Sequence, residues 1–305
     1  MVAEHNPTLR RRRLGGRLRV LREEAGLTVE QAAEALLCTP SKISRIENAQ
    51  RGASQRDVRD LCAAYGISDE ELIEQLMTLA RETRKPGLKY EHGDLGDDAL
   101  YTYMELEAGA SSITEFQTAF FPGLLQTEDY ARALIQGLLP RMEADVLERR
   151  VAARMARQRA LLERADPPRY WTFIDEAVLH RQVGSFEIMK AQLERVLTVA
   201  GNRHVTVQFV PFRKGAYMGA GSPFVFLEMG KDTGSDVVYI ETLVRNEYFE
   251  RPDDLKVHRE AIDQIRATAL DPQDSLKRIN EMISTYRLQK RKGHANRRVR
   301  RRIAI

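Results

Sequence analysis

The stretch TVEQAAEALLCTPSKISRIE, residues 28–47, carries the pattern that decides the fold of the first part of the chain. Thr28 is followed three positions later by Gln31, the spacing of a capping box that opens a helix, here predicted from Val29 to Leu36. Pro40 suits the first position of a second helix, because the N–H that proline lacks would have no helical partner there. The stretch therefore predicts two short helices joined by a tight turn.

The second of these helices has an apolar side and a polar side. Ile43 and Ile46 are three positions apart, so they share one face and are predicted to face inward. Four polar residues remain on the outer face: Ser41, Lys42, Ser44 and Arg45. Lysine and arginine can contact guanine acceptors in the major groove, and serine can serve bases or phosphates. Gln31, Arg51 and Arg17 complete the predicted DNA-binding set, with Gln31 donating to a phosphate.

Glu47 at first opposes this interpretation, because a carboxylate facing the phosphate backbone of DNA would be repelled. We expect Glu47 to turn inward and to pair with an arginine such as Arg17 or Arg22. Spacing and charge by themselves leave a second interpretation open, a helical module that binds a protein, because basic residues on one helix usually form a solvated face.

Residues 10–84 as a whole are predicted to form a compact domain of five short helices. The first helix places three leucines on one face: Leu14, Leu18 and Leu21. Ser54 and Ser68 are the predicted N-caps of the fourth and fifth helices.

The rest of the chain has a different pattern. Residues 85–98 are rich in Gly, Pro and Asp and are predicted to be a linker. Residues 99–286 alternate helical stretches with five predicted strands: ITEFQTAFF, the start of RYWTFIDEAVL, VTVQFVPF, FVFLEM and VVYIETL. The predicted fold class is mainly α with α+β, a five-helix helix-turn-helix domain followed by an α+β domain. Residues 287–305 form a basic tail.

Basic charge is concentrated at the two ends of the chain. Residues 1–19 carry six arginines and one acidic residue, and residues 287–305 carry nine basic residues and no acidic one. Since the whole chain sums to +4, the residues between sum to −10. Arms such as Arg10–Arg13 and Lys290–Arg302 are predicted to contact phosphates. The alternative is that they are solvated tails.

Several function classes find no support in the sequence. No apolar run approaches the roughly 18 residues that a membrane-spanning helix needs. The two cysteines, Cys38 and Cys62, form no CxxC pair, and HExxH, GxSxG, Walker A and GxGxxG patterns do not occur. We therefore expect no enzyme, no cofactor, no metal and no membrane, and a cytoplasmic protein associated with the nucleoid. An enzyme with a DNA-binding appendage is a further alternative that lacks a catalytic pattern.

The stretch GLTVEQAAEALLCTPSKISRIENAQRGASQRDVRDLCAAYG resembles the Cro/phage-repressor (xenobiotic-response-element) family of helix-turn-helix domains. Three pieces carry the resemblance: Gly26–Thr28, Gln31–Ala33 and Ser41–Glu47. Ala49 and Ala53 depart from the family, which often has glycine and proline at these positions. The resemblance implies binding of double-stranded DNA by a homodimer on an imperfect palindrome, with half-sites about one helical turn apart.

The segments SSITEFQTAFFPGLLQTEDYARALI, RYWTFIDEAVLHRQVG, VTVQFVPF, GSPFVFLE and VVYIETL resemble the C-terminal domain of a large group of actinomycete regulators. FPGLLQTEDYARALI is the most specific of these segments. The resemblance implies a domain that senses a small companion protein encoded nearby or a small-molecule ligand, in a regulator of development or secondary metabolism. An antitoxin-like module that sequesters a partner protein is the alternative function.

Overall fold

The computed structural model of the chain describes these residues: 9–83, 95, 98–229, 236–243 and 246–286. The predicted basic tail, residues 287–305, lies outside them. So does the predicted linker, residues 85–98, except at positions 95 and 98. The chain divides into two compact units, one within residues 1–111 and 227–237, the other within residues 112–226 and 238–305.

The first unit begins with the five predicted helices. They are α1 (Leu9–Glu24), α2 (Val29–Ala35), α3 (Pro40–Glu47), α4 (Gln55–Ala64) and α5 (Glu70–Glu82). Ser54 caps α4 as predicted, but the prediction that Ser68 caps α5 is wrong. The N-cap is Asp69, whose carboxylate accepts from the N–H groups of Glu71 and Leu72. A carboxylate is favoured there because it also interacts with the positive end of the helix dipole. A sixth helix, α6 (Asp98–Gly109), follows.

Apolar residues from all five N-terminal helices form one core. Its buried members include Leu14, Leu18, Leu21, Ala32, Ala33, Ile43, Ile46, Val58, Leu61, Cys62, Leu76 and Ala80. Gly15 on α1 lies against the end of α3, because a Cβ atom at Gly15 would be 2.5 Å from the carbonyl oxygen of Ile46. The absence of a side chain at Gly15 therefore allows the backbones of α1 and α3 to approach closely.

The prediction of a basic N-terminal arm at Arg10–Arg13 is wrong for these four residues, because they lie within α1. Arg12 is buried, Arg11 is half-buried and Arg13 is exposed. A helix that packs one face on a core necessarily covers some of the arginines in a continuous run.

A six-stranded sheet has most of its residues in the second unit. Its strands are β1 (Ala110–Gln117), β2 (Arg169–Asp175), β3 (Val205–Val210), β4 (Phe224–Met229), β5 (Val237–Glu241) and β6 (Asn246–Phe249). Their order across the sheet is β3-β2-β1-β4-β5-β6. Strands β1, β2 and β3 are parallel neighbours, whereas β5 and β6 are antiparallel.

Helices make the crossovers that parallel strands require. A 3₁₀ turn (Gly123–Leu125), α7 (Glu128–Leu138) and α8 (Ala144–Leu162) connect β1 to β2. Two helices, α9 (Ala177–His180) and α10 (Phe186–Ala200), connect β2 to β3, and α11 (Pro252–Thr268) and α12 (272–286) follow β6.

The five predicted strands correspond to β1 to β5, with FVFLEM matching β4 in full, while β6 was not predicted. Its four residues are all half-buried, so no alternation marks them as a strand, and pairing with β5 defines β6. None of the helices in the described part of the chain combines the length and the apolar composition that crossing a membrane requires.

Candidate DNA-binding surface

The turn between α2 and α3 is fixed by hydrogen bonds at both of its ends. The predicted capping box is present, since Thr28 N–H donates to Gln31 Oε1 at 2.8 Å and Gln31 N–H donates to Thr28 Oγ1 at 3.2 Å. At the other end of α2, Cys38 N–H donates to the carbonyl of Ala33 and Leu37 N–H to that of Glu34. This pair of bonds is a Schellman motif, which ends a helix on a residue with left-handed backbone.

The third helix begins where Pro40 predicts. Thr39 is its N-cap, with Oγ1 accepting from Lys42 N–H at 3.3 Å, and Pro40 occupies the first turn. Ile43 and Ile46 are buried in the domain core. Two short helices, a fixed turn and one buried face on the second helix are the geometry of a helix-turn-helix.

The opposite side of α3 carries the predicted reading residues. Ser41 and Arg45 are exposed, and Ser44 is half-buried with its Oγ accepting from Asn48 Nδ2 at 3.2 Å. Arg51 is also exposed, and its backbone N–H donates to the carbonyl of Arg45 at 2.9 Å. That bond places Arg51 at the end of α3, so the structure brings these predicted residues onto one surface.

Gln31 and Arg17 come from the neighbouring helices. Gln31 is exposed at the start of α2, and its oxygen is used by the capping box, so its Nε2 group is the end that can donate to a phosphate. Arg17 is half-buried at the margin of the apolar face of α1. Their contact with DNA stays a prediction.

The ammonium group of Lys42 is already paired with a carboxylate. Lys42 Nζ lies 2.6 Å from Asp57 Oδ1, and the two side chains are 27% and 18% exposed. The other oxygen of Asp57 accepts from Ser54 N–H at 2.9 Å and from Ser54 Oγ at 2.7 Å. Lys42 can therefore contact DNA only by sharing or leaving this ion pair.

Partial burial raises the pKa of Asp57, but the hydrogen bonds from Lys42 and Ser54 outweigh it and lower the pKa to about 2. Asp57 thus remains a carboxylate at neutral pH and ties α4 to α3. Sequence reasoning missed this residue, although the Ser-x-x-Asp spacing at the start of α4 is a capping-box signal that points to it.

Glu47 is turned inward, as predicted, and its partner is Arg22. Arg22 Nε and Nη2 donate to the two carboxylate oxygens at 2.8 and 3.1 Å, and Tyr65 Oη donates to Oε1 at 3.4 Å. The bond to Glu47 raises the pKa of Arg22 despite its partial burial. The remaining nitrogen of Arg22 donates to the carbonyl of Leu27 at 2.6 Å. Glu47 is therefore a connection between α1 and α3 and presents no charge to DNA.

Comparison with known proteins agrees with this geometry. A helix-turn-helix domain model matches residues 13–76, which include α2, α3 and the turn between them. No significant match to a curated protein or to a solved structure was found. A second model, described as a domain of unknown function (DUF5753), matches residues 100–281, which is more than half of the chain. The chain therefore belongs to the DUF5753 family and carries a helix-turn-helix DNA-binding domain in front of that region.

Proposed function

We propose that the protein is a sequence-specific transcriptional regulator of the Cro/phage-repressor type, which binds double-stranded DNA as a homodimer. In this proposal α3 lies in the major groove and α2 positions it on the backbone. The protein acts by binding DNA and not by catalysis, and it is located in the cytoplasm at the nucleoid.

One observation carries the proposal. The face of α3 that holds Ser41 and Arg45 is exposed, while the opposite face, with Ile43 and Ile46, is fully used by the domain core. A helix held in this way presents its polar edge in a fixed orientation, which direct reading of base edges requires.

The C-terminal region is the regulatory part of the proposal. We infer that it responds to a small companion protein or to a ligand and alters the dimer geometry of the two α3 helices, since a signal acts only through different affinities for two states. Regulation of development or secondary metabolism in an actinomycete is what the sequence resemblance supports.

The test of DNA reading starts by selecting bound sequences from a random duplex library with the full-length protein. Affinity for the selected site is then measured by fluorescence anisotropy for Arg45→Ala and for Arg81→Ala, which removes an exposed arginine from α5. Arg45→Ala should cost about 1–3 kcal/mol and relax the preference at one base position, because a bidentate contact to guanine is lost. Arg81→Ala should bind as the wild type does.

Lys42→Ala is measured in the same assay beside Asp57→Asn. If Lys42 leaves Asp57 to contact DNA, Lys42→Ala weakens binding by about 1–3 kcal/mol and Asp57→Asn strengthens it, because the carboxylate no longer competes. Failure to select any preferred sequence, or unchanged affinity in Arg45→Ala, would contradict the proposal. Failure of the selection would favour the protein-sequestering module instead.

A further inference from the structure

Three arginines lie on one side of α8 in the second unit. Arg150, Arg154 and Arg157 are four and three positions apart, so they project from the same face of the helix. That face meets the segment FPGLLQ, residues 121–126, which contains the 3₁₀ turn. Arg154 Nη1 donates to Gln126 Oε1 at 2.6 Å, and a Cβ atom at Gly123 would lie 2.6 Å from Arg157 Nη2. The bare backbone of Gly123 thus leaves room for a guanidinium group.

Buried glutamines hold this turn in place. Gln158 Nε2 donates to the carbonyls of Gly123 and Gln126, both at 2.8 Å. From the next helix, Gln192 Nε2 donates to the carbonyl of Leu125 at 2.9 Å, and its oxygen accepts from Thr127 N–H at 2.8 Å. Both glutamines are at most 4% exposed. The arginines are therefore arranged around a rigid frame, which is the pre-organisation that a binding site needs.

The surroundings of Arg154 are unfavourable to its charge. Desolvation by the surrounding protein, followed by repulsion from Arg157, lowers the pKa of Arg154 to about 10, and attraction by Glu241 and Glu115 only partly offsets these effects. The residue is nevertheless only half-buried. Part of its surface therefore stays accessible to a small ion.

We propose that Arg150, Arg154 and Arg157, together with the turn at Gly123, bind the oxyanion group, phosphate or carboxylate, of a small ligand. Guanidinium groups match the geometry of both anions and form charge-assisted hydrogen bonds with them. An anion beside Arg154 would offset the repulsion that Arg157 and Arg150 exert on it. The site gives a chemical class to the ligand of the proposed sensory region. Anion binding itself does not depend on the proposed function, whereas a regulatory role for the bound ligand rests on it.

The experiment is a titration of the full-length protein, without DNA, with sodium phosphate and separately with sodium acetate. Sodium chloride keeps the ionic strength constant, and Tm is recorded by differential scanning calorimetry. The variants are Arg154→Met and Arg157→Gln, and the control is Arg159→Gln, which removes an exposed arginine from the same helix. One of the two anions should raise Tm in a saturable way in the wild type and in the control. The anion that does so identifies the phosphate or the carboxylate class.

Arg154→Met and Arg157→Gln should each weaken this response at least about tenfold in the anion concentration required. Without anion, Arg154→Met replaces a desolvated charge by an apolar chain but also removes the donor to Gln126 Oε1, so its Tm should stay close to that of the wild type. Should Arg154→Met prove unstable, Arg157→Gln carries the test by itself.

A wild-type Tm that follows ionic strength alone would overturn the site, as would variants that respond like the wild type, since the anion would then bind elsewhere. DNA affinity is measured separately on the same variants. Loss of the anion response with normal DNA binding leaves the helix-turn-helix function untouched. Absent DNA binding, in turn, leaves the titration result valid.

Discussion

At the scale of single residues, the helix ends of the first domain include residues other than glycine in a left-handed backbone conformation that favours glycine. Three helices end in the same Schellman pattern, at Gly26, Leu37 and Gly66, with φ of 70°, 50° and 72°. Glycine adopts this left-handed conformation without steric cost, whereas leucine does not. Ala49, after α3, also has a left-handed φ, of 58°. Glycine, which the Cro/phage-repressor family often has at this position, adopts such a φ without strain. Leu37 is the clearer exception, because it is 95% exposed and gains nothing from burial.

Leu37→Gly should therefore stabilise the protein by about 0.5–1 kcal/mol, since the relief of the left-handed strain exceeds the added entropy of the unfolded chain. Thermal unfolding and hydrogen exchange of peptides from α2 and α3 measure the change. Leu37→Ala is the matched control, because it removes the same exposed side chain but keeps the Cβ atom and the strain. Equal stability of the two variants would show that the backbone at this position carries no cost.

At the scale of helices, α3 is fixed by neighbours on different sides. Gly15 lets the backbone of α1 reach the end of α3, and the buried pair of Arg22 with Glu47 ties the same two helices by side chains. On the outer side, Lys42 and Asp57 connect α3 to α4. These contacts set the orientation of α3 in the domain. Residues that do not contact DNA can therefore still affect how α3 binds DNA.

The link between α3 and α4 should depend on pH. Asp57 has a pKa of about 2 in the folded protein against an ordinary value of 3.8. As the pH falls, Asp57 is therefore protonated at a higher pH in the unfolded chain than in the folded protein. The stabilisation is therefore complete above about pH 5 and is lost as the pH falls toward 2. Relative to Asp57→Asn, the wild type should be more stable by about 2 kcal/mol at pH 6, and the difference should disappear near pH 2.

Urea unfolding followed by circular dichroism between pH 2 and 6 measures this difference. Asp60→Asn, at a 52% exposed carboxylate on the same helix, is the control and should change stability by less than about 0.5 kcal/mol throughout. A stability difference between the wild type and Asp57→Asn that stays constant with pH would show that the ion pair does not contribute as argued.

At the scale of the whole molecule, basic and acidic residues are concentrated in different parts of the chain, although the net charge is only +4. The segment 287–305 carries nine basic residues and no acidic one, whereas the chain between residues 20 and 286 is acidic. A basic segment of this kind attached to a DNA-binding protein adds contacts that depend on salt but not on sequence.

Deleting residues 287–305 should therefore reduce the slope of log K against log salt concentration by about 0.9 for each phosphate contact that is lost. Anisotropy titrations on the selected duplex between 50 and 200 mM salt, about the range over which such slopes are measured, give this value. Arg45→Ala is the comparison, and it should relax specificity and change the slope less than the deletion does, because it removes a proposed base contact and not a phosphate contact. An unchanged slope after the deletion would identify the segment as a passive tail.

The sequence by itself determined the five helices of the first domain and five of the six strands. Caps at Thr28 and Ser54, the proline at the start of α3 and the spacing of Ile43 and Ile46 are local signals, and local hydrogen bonding and periodicity suffice to interpret them. The inward turn of Glu47 could also be predicted, because a carboxylate has few acceptable places in a surface that faces phosphates.

Only the tertiary structure decided which long-range partners meet. The choice of Arg22 over Arg17 for Glu47 and the pairing of Lys42 with Asp57 depend on contacts between different helices. Strand β6 is likewise defined only by its pairing with β5. The same holds for the arginines of α8. Their sequence predicts an ordinary charged helix, and only the structure shows that the turn at Gly123 packs against it. Such contacts follow from the shape of the packed core, and periodicity along one segment carries no information about that shape.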